Sequence, residues 1–514
     1  MKKFLIGLLI GAGVSSAYPG MKILESYELP KKHELYSMWV FKEPLRLFVL
    51  FTLGYEGKMF FYSGGIVYSG EIGLDGPHLS PNESSWGILY RLKNKYYLNL
   101  NGKEQGPFTS VSPPEFSQDG KKWLFWYEQG ERWSVNYCGT EFGEYDFIFH
   151  KPKLSFDGSK YIFGYKKDNQ CYINNTGEIY GPYGNVDVPV FSPDGRSFAY
   201  EYAQDKKKYN CVNGKSFGPY DLTDLPVFSG NGSKFAFFFA MNLMESGKTE
   251  YYEHIDGKTF GPYQESGYPG FSYDGSSYRF SYKKDGKTYV NIDGSEYGPY
   301  ERVVQSSFIG NTSKFYIWYA SGGKHYIYID GKDYGAYDEI TDFHTSADWS
   351  VWEIVYKLNG KQYVNLNGKD YGGFDEVYRP ALSGDGQKFG FNYADAGKYY
   401  FNINGKISGG YSFATYPVIS IDGLHTGLIY FKDKKAYIDI DGVLYGPYTD
   451  AYSLQFSPVG SKFAFIYVKN KKEYINNNGI SFGGYESVRI KFSDKGTLIA
   501  TFMQGKEVTL AEIE

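Results

Sequence analysis

The sequence predicts an all-β repeat protein built from about thirteen copies of one four-stranded unit. The chain contains 54 Tyr, 40 Phe and 63 Gly but only 7 Met, a composition of strand and turn formers rather than of helix formers. A Gly-x-aromatic mark recurs about every 37 residues, and a regular internal period of this length is typical of stacked repeat units. We therefore expect almost no helix.

The Gly mark sets the period of the repeat. Eight of its ten intervals are 37 residues, one is 38 and one is 43. The longest interval carries extra residues at 241–247, which we interpret as a lengthened hairpin loop. The marks stand at Gly106, Gly143, Gly181, Gly218, Gly261, Gly298, Gly335, Gly372, Gly409, Gly446 and Gly483.

A Phe-Ser-x-Asp-Gly turn follows each mark by about ten residues and locates the strands of the unit. Its fullest copy spans residues 191–195, and weaker copies reach from Leu79 to Phe492. In residues 188–220, four short strands alternate with tight turns, the last of which is an Asn-Gly hairpin signal. With a degenerate first copy near Phe41, thirteen units start, and the thirteenth has only three strands.

One such meander cannot bury both faces, so each unit must pack against the next. Four-stranded units of about forty residues with aromatic inner strands are typical of β-propeller blades. Thirteen blades exceed the usual four to eight of one ring, so we predict two rings of six and seven, at residues 41–270 and 271–514. The sequence marks no junction, and one larger ring stays open as the alternative. Residues 18–40, through a strand within 21–35, are expected to complete the last blade.

Residues 1–17 have the order of a secretory signal peptide. Lys2 and Lys3 precede an apolar run at 4–14, and Ser15-Ser16-Ala17 follows. We predict cleavage after Ala17 and a secreted or periplasmic, soluble mature protein. A membrane anchor is the alternative, but eleven apolar residues rise only about 16 Å as a helix, half of a hydrocarbon core.

No other stretch approaches eighteen consecutive apolar residues, so no transmembrane segment is predicted. Loss of the two leader lysines takes the formal net charge from −4 to −6. A chain without a broad basic field is not expected to bind nucleic acid.

The stretch Phe-Ser-Pro-Asp-Gly-x-x-Phe-Ala-Tyr at 191–200 resembles the bacterial WD40-like propeller repeat of the TolB type, also found in the propellers of prolyl-oligopeptidase-like enzymes. Copies begin at 116, 154, 228, 271 and 456, so the resemblance covers roughly residues 41–514. It implies a propeller fold. The repeats lack the regular Trp-Asp ending of eukaryotic WD40 repeats, and we expect neither the α/β domain of TolB nor a following hydrolase domain. The resemblance therefore implies no enzymatic role.

Candidate catalytic and metal-binding groups are few. The hydrolase motif Gly-x-Ser-x-Gly is absent, and no closely spaced ligand pairs indicate zinc. The Gly-rich stretch at 384–390 lies in a hairpin turn followed by a strand, so we reject a phosphate loop. We predict no catalytic residue, cofactor or metal site. When the copies of the repeat are aligned, no two histidines fall at the same position, here called a column of the repeat. They are His33, His78, His150, His254, His325, His344 and His425.

Two short runs, at 439–442 and 291–294, resemble part of a calcium loop, but a hairpin turn needs Asn or Asp before Gly there and the full ligand set is missing. We interpret both as turns. Cys138, Cys171 and Cys211 are too few for a disulfide scaffold. A Cys171–Cys211 bridge stays open, although packed thiols are favoured because neighbouring repeats place comparable positions on different sheets.

Three columns of the repeat could serve structure or binding, and we favour structure for each. A polar column is expected to make a shared hydrogen bond, an aromatic column to fill interfaces, and an acidic column to cap loops. Their members are Asn99, Asn136, Asn174, Cys211, His254, Asn291, Tyr328, Asn365, Asn402, Asp439 and Asn476; Phe108, Tyr145, Tyr183, Tyr220, Tyr263 and Tyr300; and Asp146, Asp221, Glu301, Asp338, Asp375 and Glu486.

The irregular places are better functional candidates, because function usually breaks symmetry. They are the 241–247 loop, residues 147–153, Trp349 and Trp352. We predict a non-catalytic scaffold that holds a protein or glycan partner. The alternative is a propeller hydrolase or lyase that acts on an extracellular glycan at a central channel, which requires one or two carboxyls with raised pKa in a pocket.

Overall fold

The computed structural model describes residues 21–29, 33–42, 45–53, 59–63, 66–72, 77–243, 247–310, 312–329, 331–346, 350–378 and 380–513. The expected leader at 1–17 and Trp349 lie outside these residues. Every regular element in the described ranges is a β-strand, and most of the strands form four- or five-stranded antiparallel sheets, which confirms the predicted all-β class built of four-stranded units. Within the same ranges, no helix has the length and apolar character needed to cross a bilayer.

Seven consecutive sheets, here numbered 1 to 7, follow the repeat from His78 to Tyr337. Sheet 1 contains His78–Leu79, Trp86–Leu92, Lys95–Leu100 and Lys103–Phe108. Sheet 2 contains Ser110–Val111, Glu115–Phe116, Trp123–Gln129, Arg132–Tyr137 and Thr140–Tyr145. Sheet 3 contains Phe147–Leu154, Tyr161–Lys167, Gln170–Asn175 and Glu178–Tyr183. Sheet 4 contains Asn185–Val186, Val190–Phe191, Phe198–Gln204, Lys207–Val212 and Lys215–Tyr220. Sheet 5 contains Leu222–Thr223, Val227–Phe228, Phe235–Leu243, Lys248–Ile255 and Lys258–Tyr263. Sheet 6 contains Glu265–Ser266, Gly270–Phe271, Tyr278–Lys284, Lys287–Ile292 and Ser295–Tyr300. Sheet 7 contains Arg302–Phe308, Phe315–Ser321, Lys324–Ile329 and Lys332–Tyr337.

Five further sheets, numbered 8 to 12, continue the pattern. Sheet 8 contains Glu339–Thr345, Trp352–Leu358, Lys361–Leu366 and Lys369–Phe374. Sheet 9 contains Glu376–Val377, Ala381–Leu382, Phe389–Asp395, Lys398–Ile403 and Lys406–Tyr411. Sheet 10 contains Phe413–Ala414, Val418–Ile419, Thr426–Lys432, Lys435–Ile440 and Val443–Tyr448. Sheet 11 contains Asp450–Phe456, Phe463–Lys469, Lys472–Asn477 and Ile480–Tyr485. Sheet 12 contains Ser487–Phe492, Leu498–Gln504, Glu507–Ile513 and Met21–Glu28. The earlier strands extend sheet 1 to eight strands, because Ile66–Ile72 pairs antiparallel with Trp86–Leu92. They are His33–Lys42, Leu45–Leu53, Met59–Ser63 and Ile66–Ile72.

In sheets 1 to 11 the strands pair antiparallel in chain order, as the four-stranded unit predicts. The first strand is often two short pieces. In sheet 4, for example, Asn185–Val186 and Val190–Phe191 flank a gap that contains Pro189, and Pro cannot donate to a strand ladder. The first strand of the unit predicted at 188–220 therefore begins before residue 188, at Asn185, and is interrupted.

The 43-residue interval extends strands as well as a loop. The second strand of sheet 5 runs to Leu243 and pairs with the third strand from Leu243↔Lys248 onward. Residues 241–243, which were predicted to lie in a loop, therefore belong to a paired strand of the hairpin.

The N-terminal strand Met21–Glu28 is the fourth strand of sheet 12. It pairs antiparallel with Glu507–Ile513, from Met21↔Ile513 to Glu28↔Glu507. The next strand, His33–Lys42, pairs with Leu45–Leu53 instead. The segment that completes the last sheet is thus shorter than residues 18–40.

Contacts divide the chain into two compact units, residues 70–336 and residues 1–69 with 337–514. The junction predicted at 270/271 lies within the first of these units. The number of blades and their division into rings stay predictions.

Candidate functional site

The polar column lies at the turn between the third and fourth strands. Its side-chain oxygen accepts a hydrogen bond of 2.7–2.9 Å from the backbone N–H three residues later in eight sheets. Both calcium-like runs belong here, because Asn291 and Asp439 accept from Gly294 and Gly442. These side chains therefore cap hairpins. The eight members are Asn99, Asn136, Asn174, Asn291, Asn365, Asn402, Asp439 and Asn476.

The aromatic column joins consecutive sheets. Each ring stacks on a ring in the second strand of the next sheet, for example Tyr183 on Tyr202 at 4.1 Å and Tyr220 on Phe239 at 4.2 Å between centroids. The same contact recurs from Phe108 on Tyr127 to Tyr485 on Phe502. These rings contribute to the packing between sheets and do not form a free row for sugars.

The acidic column also links sheets. Asp221 Oδ1 lies 2.5 Å from Lys207 Nζ in sheet 4, and its Oδ2 accepts a hydrogen bond from the Asn242 N–H in sheet 5 at 2.8 Å. Asp375 makes the equivalent contacts with Lys361 and the Ala396 N–H. Asp338 accepts a hydrogen bond from the Asn359 N–H at 2.7 Å, Glu301 accepts one from the Gly323 N–H at 3.5 Å, and Glu486 lies 3.4 Å from Lys472 Nζ. Carboxylates engaged in this way brace turns and do not converge on one site.

The described histidines lie apart from one another. His150 Nε2 is 3.5 Å from Asp187, His344 Nε2 is 2.7 Å from Asp342, and His425 Nδ1 is 2.6 Å from Asp441. Among the described residues, no group of three or more His, Cys, Asp or Glu side chains is placed to hold a metal ion.

A cleft of about 520 Å³ interrupts the repeat between sheets 3 and 4. It falls in the segment 147–153, one of the irregular places of the sequence. Phe147 and Phe149 are two residues apart on one strand and so share a face, and a bulge after Phe149 turns the chain away. The cleft is lined by Asp146, Phe147, Phe149, Lys166, Asn169, Cys171, Gly184 and Asn185.

Aromatic rings form one wall of the cleft. The ring of Phe147 is 42% exposed and packs edge-on against Trp133 at 4.9 Å and against Phe149 at 5.4 Å between centroids. Trp133 in turn contacts Trp126 at 4.7 Å. Phe147 is therefore the exposed end of a supported row of rings.

Polar groups complete the lining. Lys166, Asn169 and Asn185 line the cleft, and within the described ranges their side chains make no hydrogen bond or ion pair. Asp146 contacts Arg132 and accepts from the Asp168 N–H at 2.8 Å, so its charge is compensated. The cleft therefore offers one unpaired ammonium and two amides beside an exposed ring.

The thiols of the same region are buried. Cys171, which lines the cleft, and Cys211 belong to one cluster between sheets 3 and 4, and neither is disulfide-bonded. Burial raises the pKa of both thiols, so neither has the character of a reactive nucleophile.

A second departure from the repeat lies within the packing of sheets 4, 5 and 6. One third-strand position, which holds Val290 in sheet 6, holds Asn210 in sheet 4 and Glu253 in sheet 5, and all three are 0% exposed. Asn210 donates to Thr223 Oγ1 at 2.7 Å, and Ser266 donates to Glu253 Oε1 at 2.5 Å. Polar pairs thus replace apolar contacts at two consecutive interfaces.

Two buried carboxyls in this region have raised pKa values. Burial raises the pKa of Glu253 to about 8, so the group is mostly protonated at neutral pH. Burial also raises the pKa of Glu201, although Lys208 Nζ at 2.5 Å opposes the shift. These are the kind of carboxyls that an enzyme would need, but they are only 0% and 8% exposed and lie between sheets.

Neither Glu201 nor Glu253 was singled out from the sequence. The available signal was the residue before the polar column, which is aliphatic or aromatic in most copies and changes to Asn210 and Glu253 in two consecutive ones. Residues 147–153, which were singled out, do reach the cleft through Phe147 and Phe149.

No protein-family model matches the chain, and no curated protein is similar to it in sequence. Among solved structures, a eukaryotic initiation factor shares 14% identity at a TM-score of 0.33, with 66% of this chain and 96% of that one covered. TolB from Acinetobacter baumannii shares 16% at 0.23, with 45% and 64% covered. The β-propeller domain of Myceliophteria thermophila Cps50 (Swd1) shares 11% at 0.21, with 50% and 96% covered. Likeness at this level carries no argument about activity, so function must be inferred from the side chains themselves.

Proposed function

We propose that the chain is an exported, non-catalytic propeller of the bacterial WD40-like repeat type that binds a glycan in the cleft between sheets 3 and 4. The observation that carries the proposal is the exposed ring of Phe147 beside Lys166, Asn169 and Asn185, which have no internal partner among the described residues. Aromatic rings pack against the apolar faces of sugars, and amide and ammonium groups bond to hydroxyls and carboxylates. The leader-like order of residues 1–17 supports export.

The size of the cleft favours a small ligand over a broad protein contact. Its volume of about 520 Å³ lies in the usual range for small-molecule sites. A specific protein interface would instead bury about 800 Å² on each partner. A protein partner is therefore the second candidate, and the test below separates it from a glycan.

The contacts of the cleft support binding without catalysis. Most glycoside hydrolases place two carboxyl groups around the scissile bond. This cleft contains one, Asp146, and Arg132 and the Asp168 N–H engage its two oxygens. The carboxyls with raised pKa, Glu201 and Glu253, lie within the sheet packing.

The test is calorimetric titration of the mature chain, residues 18–514, with a panel of neutral and carboxylated oligosaccharides chosen from a glycan array. Phe147→Ala should weaken binding at least tenfold. Phe413→Ala is the matched control, because Phe413 holds the equivalent first-strand position of sheet 10, is 47% exposed and packs edge-on against Tyr399. Equal loss in both variants, or no oligosaccharide binding at all, would overturn the proposal.

Two further outcomes distinguish the alternatives. Release of new reducing ends or unsaturated products from a bound glycan would show that the protein is an enzyme. Capture of a cell-envelope protein that Phe147→Ala abolishes, without any glycan binding, would show that the cleft binds protein.

A further inference from the structure

Two aspartates, Asp187 and Asp224, hold the same aligned position in sheets 4 and 5, where the first strand is interrupted. Their N–H groups donate to second-strand carbonyls, those of Glu201 at 2.9 Å and Phe238 at 3.4 Å. The fold does not require a carboxylate at this position, because five other sheets have an uncharged residue there. These residues are Ser112, Gly267, Gln305, Tyr378 and Thr415.

A polar row crosses sheet 4 from Asp187 through Glu201 to Asn210. Asp187 lies opposite Glu201, and Glu201 is the cross-strand partner of Asn210, so the three side chains share a face. That face meets sheet 5, since Asn210 Nδ2 donates to Thr223 Oγ1 at 2.7 Å and to the Asp224 carbonyl at 3.0 Å. The row therefore continues into the first strand of sheet 5.

The negative charge of this row is only partly compensated. Burial raises the pKa of Glu201, and Lys208 Nζ at 2.5 Å opposes the rise. The charges of Asp187 and Asp224 add to the rise, so the three carboxyl groups act on one another. His150 Nε2 lies 3.5 Å from Asp187 Oδ1. Asp224 has no cationic partner among the described residues, and its Oδ1 accepts a hydrogen bond from the N–H of the next residue at 3.0 Å.

The buried amide of Asn210 lacks a hydrogen-bond donor. Its side chain is 0% exposed, yet Oδ1 accepts no hydrogen bond from the residues that the structure describes. The amide lies between Glu201, its cross-strand partner, and Asp224, whose carbonyl accepts from its nitrogen. Since a buried acceptor without a donor is costly, an N–H group is missing beside the carboxylates.

An exposed aromatic ring stands next to the aspartates. Tyr268 lies in the interruption of the first strand of sheet 6 and is 68% exposed. Its ring packs edge-on against Phe238 at 5.7 Å between centroids, and Phe238 is the residue whose carbonyl accepts from Asp224. The face of such a ring attracts cations. The ring and the carboxylates therefore favour the same kind of ligand.

We propose that Asp187, Asp224 and Tyr268 bind an arginine side chain of a partner protein. A guanidinium is planar, presents several N–H donors and stacks on aromatic rings, so it can bridge the two carboxylates and supply the missing donor. A metal ion fits less well, because no group of three or more His, Cys, Asp or Glu among the described residues is placed to hold one.

The exposure of the residues favours a protein over a free small cation. Asp187 is 57% exposed at its side chain, so a small molecule would bury little surface here. A protein would add contacts to Val188 and Leu225, the half-buried apolar residues that follow the two aspartates. Arg and Tyr are enriched at the energetic centres of protein interfaces. This binding would add a second site to the proposed function and is independent of the glycan cleft.

The test begins with panning of a phage library of random peptides on the mature chain, residues 18–514. We expect peptides that contain arginine to be enriched. Fluorescence anisotropy then compares a selected peptide with the same peptide carrying citrulline, which keeps the shape of arginine without its charge. Citrulline and Asp224→Asn should each lower the affinity at least tenfold, and Tyr268→Ala at least threefold.

The matched control is Asp342→Asn in sheet 8. Asp342 holds the aligned position, and its Oδ1 also accepts a hydrogen bond from the N–H of the next residue, at 3.0 Å. Its row contains Val355 and Val364 instead of polar residues. Asn keeps the oxygen that accepts this hydrogen bond, and both variants lose one charge. Asp342→Asn should therefore bind the peptide as wild type does, and both variants should melt as wild type does.

The proposal is overturned if arginine is not enriched, if Asp224→Asn binds as tightly as Asp342→Asn, or if the citrulline peptide binds as tightly as the arginine peptide. Equal affinity for N-acetylarginine amide and for the peptide would also overturn it, because the ligand would then be a free small cation. Glycan titration separates the two proposals: Asp224→Asn should keep glycan binding, and Phe147→Ala should keep peptide binding.

Discussion

Replacement of Glu253 by Gln tests whether a carboxyl between sheets 5 and 6 is held protonated. The pKa of Glu253 rises from its ordinary value of 4.5 to about 8 on burial. Because the folded-state pKa is raised, the stability contributed by the protonated group is complete below pH 4.5 and is lost as pH rises through about 8. The loss is about 1.4 kcal/mol per pH unit and about 5 kcal/mol in total.

Gln cannot ionise, so this pH dependence should disappear in Glu253→Gln. A change of 1 kcal/mol moves the melting temperature by about 2–4 °C in a unit of 150–250 residues. The melting temperature of the variant relative to wild type should therefore rise by about 10 °C between pH 5 and pH 9. Differential scanning fluorimetry across this range measures the difference.

The control is Glu265→Gln, because the Glu265 side chain is 66% exposed and pairs with Lys283 at 2.9 Å. Its melting temperature should follow that of wild type at every pH. Parallel curves of melting temperature against pH for Glu253→Gln and wild type would refute the reasoning, since they would mean that Glu253 ionises in the folded protein with its ordinary pKa.

Three other perturbations test the packing and the cleft. Tyr220→Ala removes the ring that stacks on Phe239 at 4.2 Å, and the free energy of unfolding in urea should fall by about 3–5 kcal/mol; a smaller loss than 1 kcal/mol would contradict the stacking role. Deletion of residues 18–28 leaves the strand Glu507–Ile513 of sheet 12 unpaired along one edge, so the melting temperature should drop and light scattering should report aggregation. Lys166→Met should lower the affinity for a carboxylated oligosaccharide at least tenfold but leave the affinity for a neutral one unchanged. Equal effects on both would show that the ammonium does not contact the carboxylate.

The repeat predicted the strands well because side chains within its turns make local hydrogen bonds. Asn213-Gly214 and the Ser192–Asp194 turn each close through local bonds, with Ser192 Oγ donating to Asp194 at 2.6 Å, so their positions can be read from neighbouring residues. The early start of the first strand of sheet 4 was missed because its first piece, Asn185–Val186, is only two residues long and is separated from Val190–Phe191 by the unpaired residues 187–189.

The buried polar groups were harder to predict for a physical reason. Glu250 and Glu253 lie on one strand, yet only Glu253 is buried, and alternation alone does not say which face meets the next sheet. Comparison of aligned copies would have shown that Glu253 replaces Val290 and its aliphatic equivalents. The cleft at Phe147 was accessible from sequence only as a local irregularity, because its polar lining comes from two sheets.

The junction carboxylate Asp221 has a consequence for how the repeat can vary. It accepts a hydrogen bond from the Asn242 N–H at the base of the extended hairpin of sheet 5, and Thr249 Oγ1 closes the same base by donating to Asn242 Oδ1 at 2.8 Å. Because these hydrogen bonds fix the hairpin at Asn242, the loop beyond that residue can change in length without altering the strands that precede and follow it. Sheet 5 is accordingly the place where this scaffold can accept a grafted peptide of new length, while the neighbouring sheets keep their spacing.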